Sequence, residues 1–246
     1  MILHTSIQGK GEPIVFLHTG LQTGLTDFEY QRAFFQRHYQ VISPDLRGRG
    51  HSVVANFSNF FDESANDLFE TLEHVGIDSA HIVGGSLGAL VAIIFAKKHP
   101  KKVKSLTISG VMPLKPVNWE EIHRKDIEQQ SHLLQKKEVA DYFNQIHRGD
   151  WREALLITQD PTWYPFHELK DIHALKMPIL CIVGEGKRDE IEGACYYQEI
   201  NSNTHIAAVP FAAHLVQDEQ PEIYTKMLDS FLMKYGDANI KMGEES

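Results

Sequence analysis

Four short apolar runs, each closing in Gly, Pro, His or Asp, limit most strongly how this chain folds. They are "PIVFLH" (residues 13–18), "YQVISPD" (39–45), "AHIVGG" (80–85) and "VKSLTISG" (103–110). Their Val and Ile content marks buried strands. Between them, residues 27–37, 62–75 and 87–99 space apolar side chains by three and four, the pattern of helices with one apolar face. Strand, helix and strand in turn require crossover connections, so the sequence predicts an α/β fold with a mostly parallel, doubly wound sheet. After residue 110 the rhythm changes. Residues 119–170 are polar, helical in pattern and punctuated by aromatics; then "MPILCIVGEG" and "NTHIAAVPF" resume strands, and residues 221–234 read as a closing amphipathic helix. The expected organisation is a core of residues 1–112 and 171–240, a helical insertion at 113–170 and a polar tail at 241–246.

A net charge of −9 and the lack of a long basic stripe argue against a nucleic-acid partner. Lys97, Lys98, Lys101, Lys102 and Lys104 cluster where a helix is expected to end, which suits the helix dipole. Two cysteines, Cys181 and Cys195, make no disulfide framework. With no signal-peptide pattern and no run of about 18 apolar residues, the expectation is a cytoplasmic protein without a membrane partner.

The chemistry concentrates in "HIVGGSLGAL" (residues 81–90), where glycines at 84, 85 and 88 surround Ser86. A strand ending near Val83 and a helix starting near Leu87 leave room only for a tight turn, which strains its central residue and excludes side chains beside it. G-x-S-x-G at a strand–helix junction raises the Ser hydroxyl above the sheet edge, and the Leu87 amide at the helix start faces any developing oxyanion.

Around this turn the chain resembles the α/β-hydrolase fold family, through "FLHTG" (16–20), "DLRGRGHS" (45–52), "GGSLG" (84–88) and "AAHLVQDEQPE" (212–222). The resemblance implies Ser86 as nucleophile and His214, in the loop before the last helix, as general base. It places the acid after the penultimate strand, where "VGEGKRDEI" offers Glu185, Asp189 and Glu190; Asp189 is the first choice, lifted by a short loop at 184–188. The second oxyanion donor would be the Gly20 amide, or Leu21 if Thr19, standing where Gly is usual, shifts the loop. His18 is expected to brace that loop and Arg47 to tie neighbouring loops; His81 and His99 read as structural. The insertion would form a cap, whose Trp119, Trp151, Trp163, Tyr164 and Phe166 either line an acyl pocket or form the cap's own core; Leu21, Trp119, Trp163 and Tyr164 are the pocket candidates. No cofactor or metal pattern appears. The implied activity is hydrolysis of a small or medium ester, thioester or lactone through an acyl-enzyme. The same residues would also serve C–C hydrolysis, acyl transfer or elimination, and a ligand sensor without turnover is the alternative from another class.

Overall fold

The computed structural model describes residues 1–236, so the tail expected at 241–246 and the end of the expected core lie outside the described residues. Seven strands form one sheet in the order β1-β3-β2-β4-β5-β6-β7. They are β1 (Thr5–Gln8), β2 (Glu12–Leu17), β3 (Tyr39–Pro44), β4 (Ala80–Gly85), β5 (Val103–Ser109), β6 (Ile179–Gly184) and β7 (Thr204–Val209). All neighbours pair in parallel except β1, which runs antiparallel to β3 at the edge.

Alternate side chains of each strand feed two apolar layers, as the two-residue strand period demands. Val15, Leu17, Ile82, Cys181 and Val183 join the layer under α2 (Phe60–His74), α3 (Leu87–Lys98) and α8 (Arg188–Ile200). Ile14, Phe16, Val83, Leu180 and Ile182 join the other, under α1 (Glu29–Phe35) and α10 (Pro221–Tyr235). Helix α3 is buried all round from Leu87 to Ala96, so it lacks a polar face and is fixed in the middle of the molecule.

Between β5 and β6 lie α4 (Trp119–Leu134), α5 (Lys137–Ile146), α6 (Trp151–Gln159) and the short α7 (Phe166–Leu169). After β7 comes α9 (Val216–Glu219). Among the described residues, no helix is long and apolar enough to cross a membrane, and both cysteines are free.

Candidate active site

Helix α3 starts at the end of β4 with one residue between them, Ser86. That residue carries φ 48° and ψ −116°, a strained conformation for a side chain with a Cβ. The strain is held from both sides. The Ser86 amide donates to the Ser109 carbonyl on β5 at 2.9 Å, and its carbonyl accepts from Ala89 and Leu90 at 2.9 and 3.1 Å. The flanking glycines are required by contact: a Cβ on Gly84 would lie 2.6 Å from the Gly88 carbonyl oxygen, and one on Gly88 2.1 Å from that of Leu17. The glycines of "GGSLG" are what let α3 sit this close to β2 and β4.

His214, in the loop between β7 and α9, brings Nε2 to 2.9 Å from Ser86 Oγ. Its Nδ1 lies 2.6 Å from Oε1 of Glu190, a side chain that is 3% exposed. Asp189, the sequence's first choice, does not reach His214. Helix α8 begins at Arg188, so Asp189 and Glu190 are consecutive residues of its first turn. Successive helical residues point about 100° apart; Asp189 faces solvent while Glu190 turns in against the sheet edge. Glu185 is engaged elsewhere, accepting from the Phe211 amide at 2.7 Å. Gly110, at φ +70° after β5, makes room for the pair, since a Cβ there would stand 2.9 Å from His214 Cε1.

The loop after β2 is fixed by buried side chains. His18 is buried and its imidazole bridges two segments, with Nδ1 on the Thr19 carbonyl at 2.7 Å and Nε2 accepting from the Leu46 amide at 2.9 Å. Burial holds it below its usual pKa, hence neutral, as the acceptor role of Nε2 requires. Because a trans peptide's N–H points opposite its C=O, fixing the Thr19 carbonyl also fixes the Gly20 amide. The Thr19 amide itself donates to Asp27 Oδ2 at 2.7 Å. Arg49 Nε donates to the Gly20 carbonyl and so sets the Leu21 amide in the same way.

His147, at the end of α5, ties the insertion to these loops: Nδ1 accepts from the Gly50 amide at 2.9 Å and Nε2 donates to the Leu21 carbonyl at 3.0 Å. Burial lowers its pKa to about 4 despite the hydrogen bond to Leu21. Arg47, expected to tie neighbouring loops, instead ties its loop to helix α2, through Asp67 at 2.7 Å and Glu63 at 3.3 Å.

Ser86 opens into a cavity of about 180 Å³ between the sheet edge and the insertion. Gly20, Leu21, Leu87, Trp119 and Trp163 line it, joined by Arg49, His123 and Asp126. Tyr164 does not: it is packed in the core layer, with its hydroxyl accepting from the Met112 amide at 2.9 Å. Trp151 likewise forms the insertion's own small core with Phe143 and Leu155. The aromatics of the insertion therefore divide between pocket and packing. Arg49 was not singled out from the sequence, where it stands between two loop glycines, yet it lines the cavity and is 2% exposed.

Residues 12–206 match the family model described as "alpha/beta hydrolase fold". Among curated proteins, a proline iminopeptidase of Arabidopsis thaliana is 33% identical over 113 residues, covering 44% of this chain and 30% of its own length. Another, from Clostridioides difficile, is 31% identical over 138 residues, 55% of this chain and 46% of its own. A bifunctional esterase/perhydrolase of Acinetobacter calcoaceticus is 30% identical over 108 residues, 43% and 39% of the two chains. The matched part thus spans less than half the length of these relatives. Among solved structures, NosK of Streptomyces actuosus superposes with a TM-score of 0.81 at 23% identity over 93% of this chain and 100% of that one. A structure reported among carboxylesterases of Nitrososphaera gargenis gives 0.77 at 20% identity over 94% of each chain.

Proposed function

The chain belongs to the α/β-hydrolase fold family, and on that footing we propose that it is a serine hydrolase cleaving a small or medium carboxylic ester, thioester or lactone. One observation carries the reading: the unbroken hydrogen-bonded line from Ser86 Oγ through His214 to buried Glu190, at the wall of an apolar-lined cavity. The resemblance to esterases and to proline iminopeptidases, which are named for acyl chemistry, supports it.

In this reading Ser86 Oγ attacks the substrate carbonyl carbon while His214 Nε2 takes its proton. Glu190 accepts from Nδ1–H, which keeps the imidazole in the tautomer with a free Nε2 and offsets the imidazolium charge. The negative carbonyl oxygen of the tetrahedral intermediate accepts from the Leu87 amide and from that of Gly20. The intermediate collapses, the carbon–oxygen or carbon–sulfur bond to the leaving group breaks, and His214 returns the proton to the departing atom. Water then attacks the acyl-Ser86 ester, gives its proton to His214, and the acid departs as Ser86 recovers its hydrogen. The helices of residues 113–170 serve as the cap that closes the acyl site.

Intact mass after incubation with an alkyl fluorophosphonate tests this. A single adduct on the native chain and none on Ser86→Ala is expected. An unlabelled native chain, beside a labelled control esterase, rules the reading out.

A further inference from the structure

Arg49 sits between Gly48 and Gly50 in the loop that leads from β3 to α2, and its side chain lies on the cavity wall beside Ser86, Gly20 and Leu87. It is almost wholly withdrawn from bulk water, yet no carboxylate among the described residues pairs with it. Its protein partners are neutral carbonyls: Nε donates to Gly20, and Nη1 reaches Gly48 at 3.5 Å. Nη2, with two further N–H groups, has no protein acceptor among the described residues. A buried guanidinium without a counter-charge is expensive, and folded proteins normally pair it.

The surrounding titratable groups form no ion pair with it: buried Asp45 and Asp27 stand near the same histidines, but their oxygens accept from the Gly24, His51, Thr19 and Phe28 amides. His18 and His147 flank it, but burial keeps both of them neutral, and neither carries negative charge. Asp126 lines the cavity from α4, but it is exposed to solvent and forms no ion pair with Arg49. His123, the third ionisable group on the wall, directs Nε2 to the Thr158 carbonyl at 2.7 Å. The cavity therefore presents an unopposed, planar, multi-donor cation next to the hydroxyl that attacks substrate. That fork matches the two oxygens of a carboxylate. A dianion fits less well, because the cavity offers one fixed positive charge, Asp126 stands at its wall, and the whole chain carries −9.

We propose that Arg49 is the counter-ion for a free carboxylate on the substrate, so that the acyl compounds turned over are monoanionic esters rather than neutral ones. This rests on the serine-hydrolase reading and specifies its substrate class. The carboxylate would displace water from Nη2 and Nη1 and hold the ester carbonyl toward Ser86 Oγ and the Gly20 amide.

Two matched pairs test it, in each of which an isopropyl group replaces the carboxylate. Monoethyl glutarate is compared with ethyl 5-methylhexanoate for the acyl side, and O-acetylglycolate with isobutyl acetate for the alcohol side. The wild type should prefer the anionic member of at least one pair by about tenfold or more in kcat/KM, mainly through KM. Arg49→Gln should abolish that preference, and Arg49→Lys should restore part of it. No preference in either pair overturns the proposal. So does an Arg49→Gln variant that slows both members of a pair equally, which would mean that Arg49 only holds the Gly20 carbonyl. If Arg49→Gln does not fold, protection of native Ser86 from the fluorophosphonate decides: the monoamide of glutarate, a monoanion, should protect at concentrations where 5-methylhexanamide does not, and equal protection overturns the proposal. Failure of the underlying reading looks different, because then Ser86 is not labelled and no ester of either pair is cleaved.

Discussion

Helix α3 and helix α4 are of similar length and do opposite work. Of the 12 residues of α3, those from Leu87 to Ala96 are buried; of the 16 in α4, only Trp119 and His123 are. The first is clamped between a sheet and α2, so the turn at its start is rigid enough to hold Ser86 at positive φ. The second belongs to a layer whose own core is small, with Phe143, Trp151 and Leu155 as its buried members. Rigidity is therefore concentrated where bonds would be made and broken, and adaptability where substrate would enter. Backbone opening follows buried contact, so the two regions should open with different free energies.

The sharpest break of that comparison is chemical. Ser86→Ala should lower turnover by about 10⁴-fold or more while leaving the melting temperature within a few degrees, because the residue bears strain and not packing. A variant that keeps turnover would separate the rigid elbow from catalysis altogether. Next in size is the acid. Glu190→Gln should lower kcat by about 10² to 10⁴-fold, and Asp189→Asn by less than about threefold, in steady-state assays on one ester. The reverse ranking would mean that α8 begins later than residue 188. In the insertion, Trp151→Ala should cost about 3 kcal/mol locally. Hydrogen exchange should then quicken across residues 119–159 while β2, β4 and β5 keep their protection. Equal loss in both regions would show that they unfold as one.

The smallest effect concerns the tether between the regions. His147 titrates at about 4 when folded, against 6.5 for the ordinary imidazole. The unfolded chain therefore binds this proton more readily, and stability present above pH 6.5 is lost as pH falls toward 4. His147→Gln, which lacks the titration, should flatten melting temperature against pH over that interval. An unchanged slope would place the acid sensitivity elsewhere.

How much of this was legible in the sequence depends on what each residue's position is fixed by. Buried parallel strands announce themselves as apolar runs, so β2 to β7 were readable, whereas β1 ("TSIQ") is a half-exposed edge and carries no such run. The Gly-Ser-Gly turn was readable because its glycines answer to local sterics, and His214 because its loop resembles the family's. The carboxylate that faces His214, Glu190, was among the three the sequence offered and stands one residue after the first choice, Asp189: on a helix that is a rotation, and composition does not say where the helix starts. Tyr164 and Trp163 are neighbours with similar side chains, yet one packs in the core layer and the other lines the cavity. Arg49 depended on the folding of loops from both sides of the cavity, which no local pattern encodes.

The order of the sheet carries a consequence for how such a protein is made. Ser86 lies in the fourth strand's turn, whereas its imidazole partner lies 128 residues later, beyond the last strand. A ribosome therefore releases the serine turn, with its glycines and central helix, long before the residues that would activate it. Until β6 and β7 add to the growing edge, the hydroxyl is an ordinary alcohol. On the proposed reading, reactivity would thus arrive with the closing steps of folding.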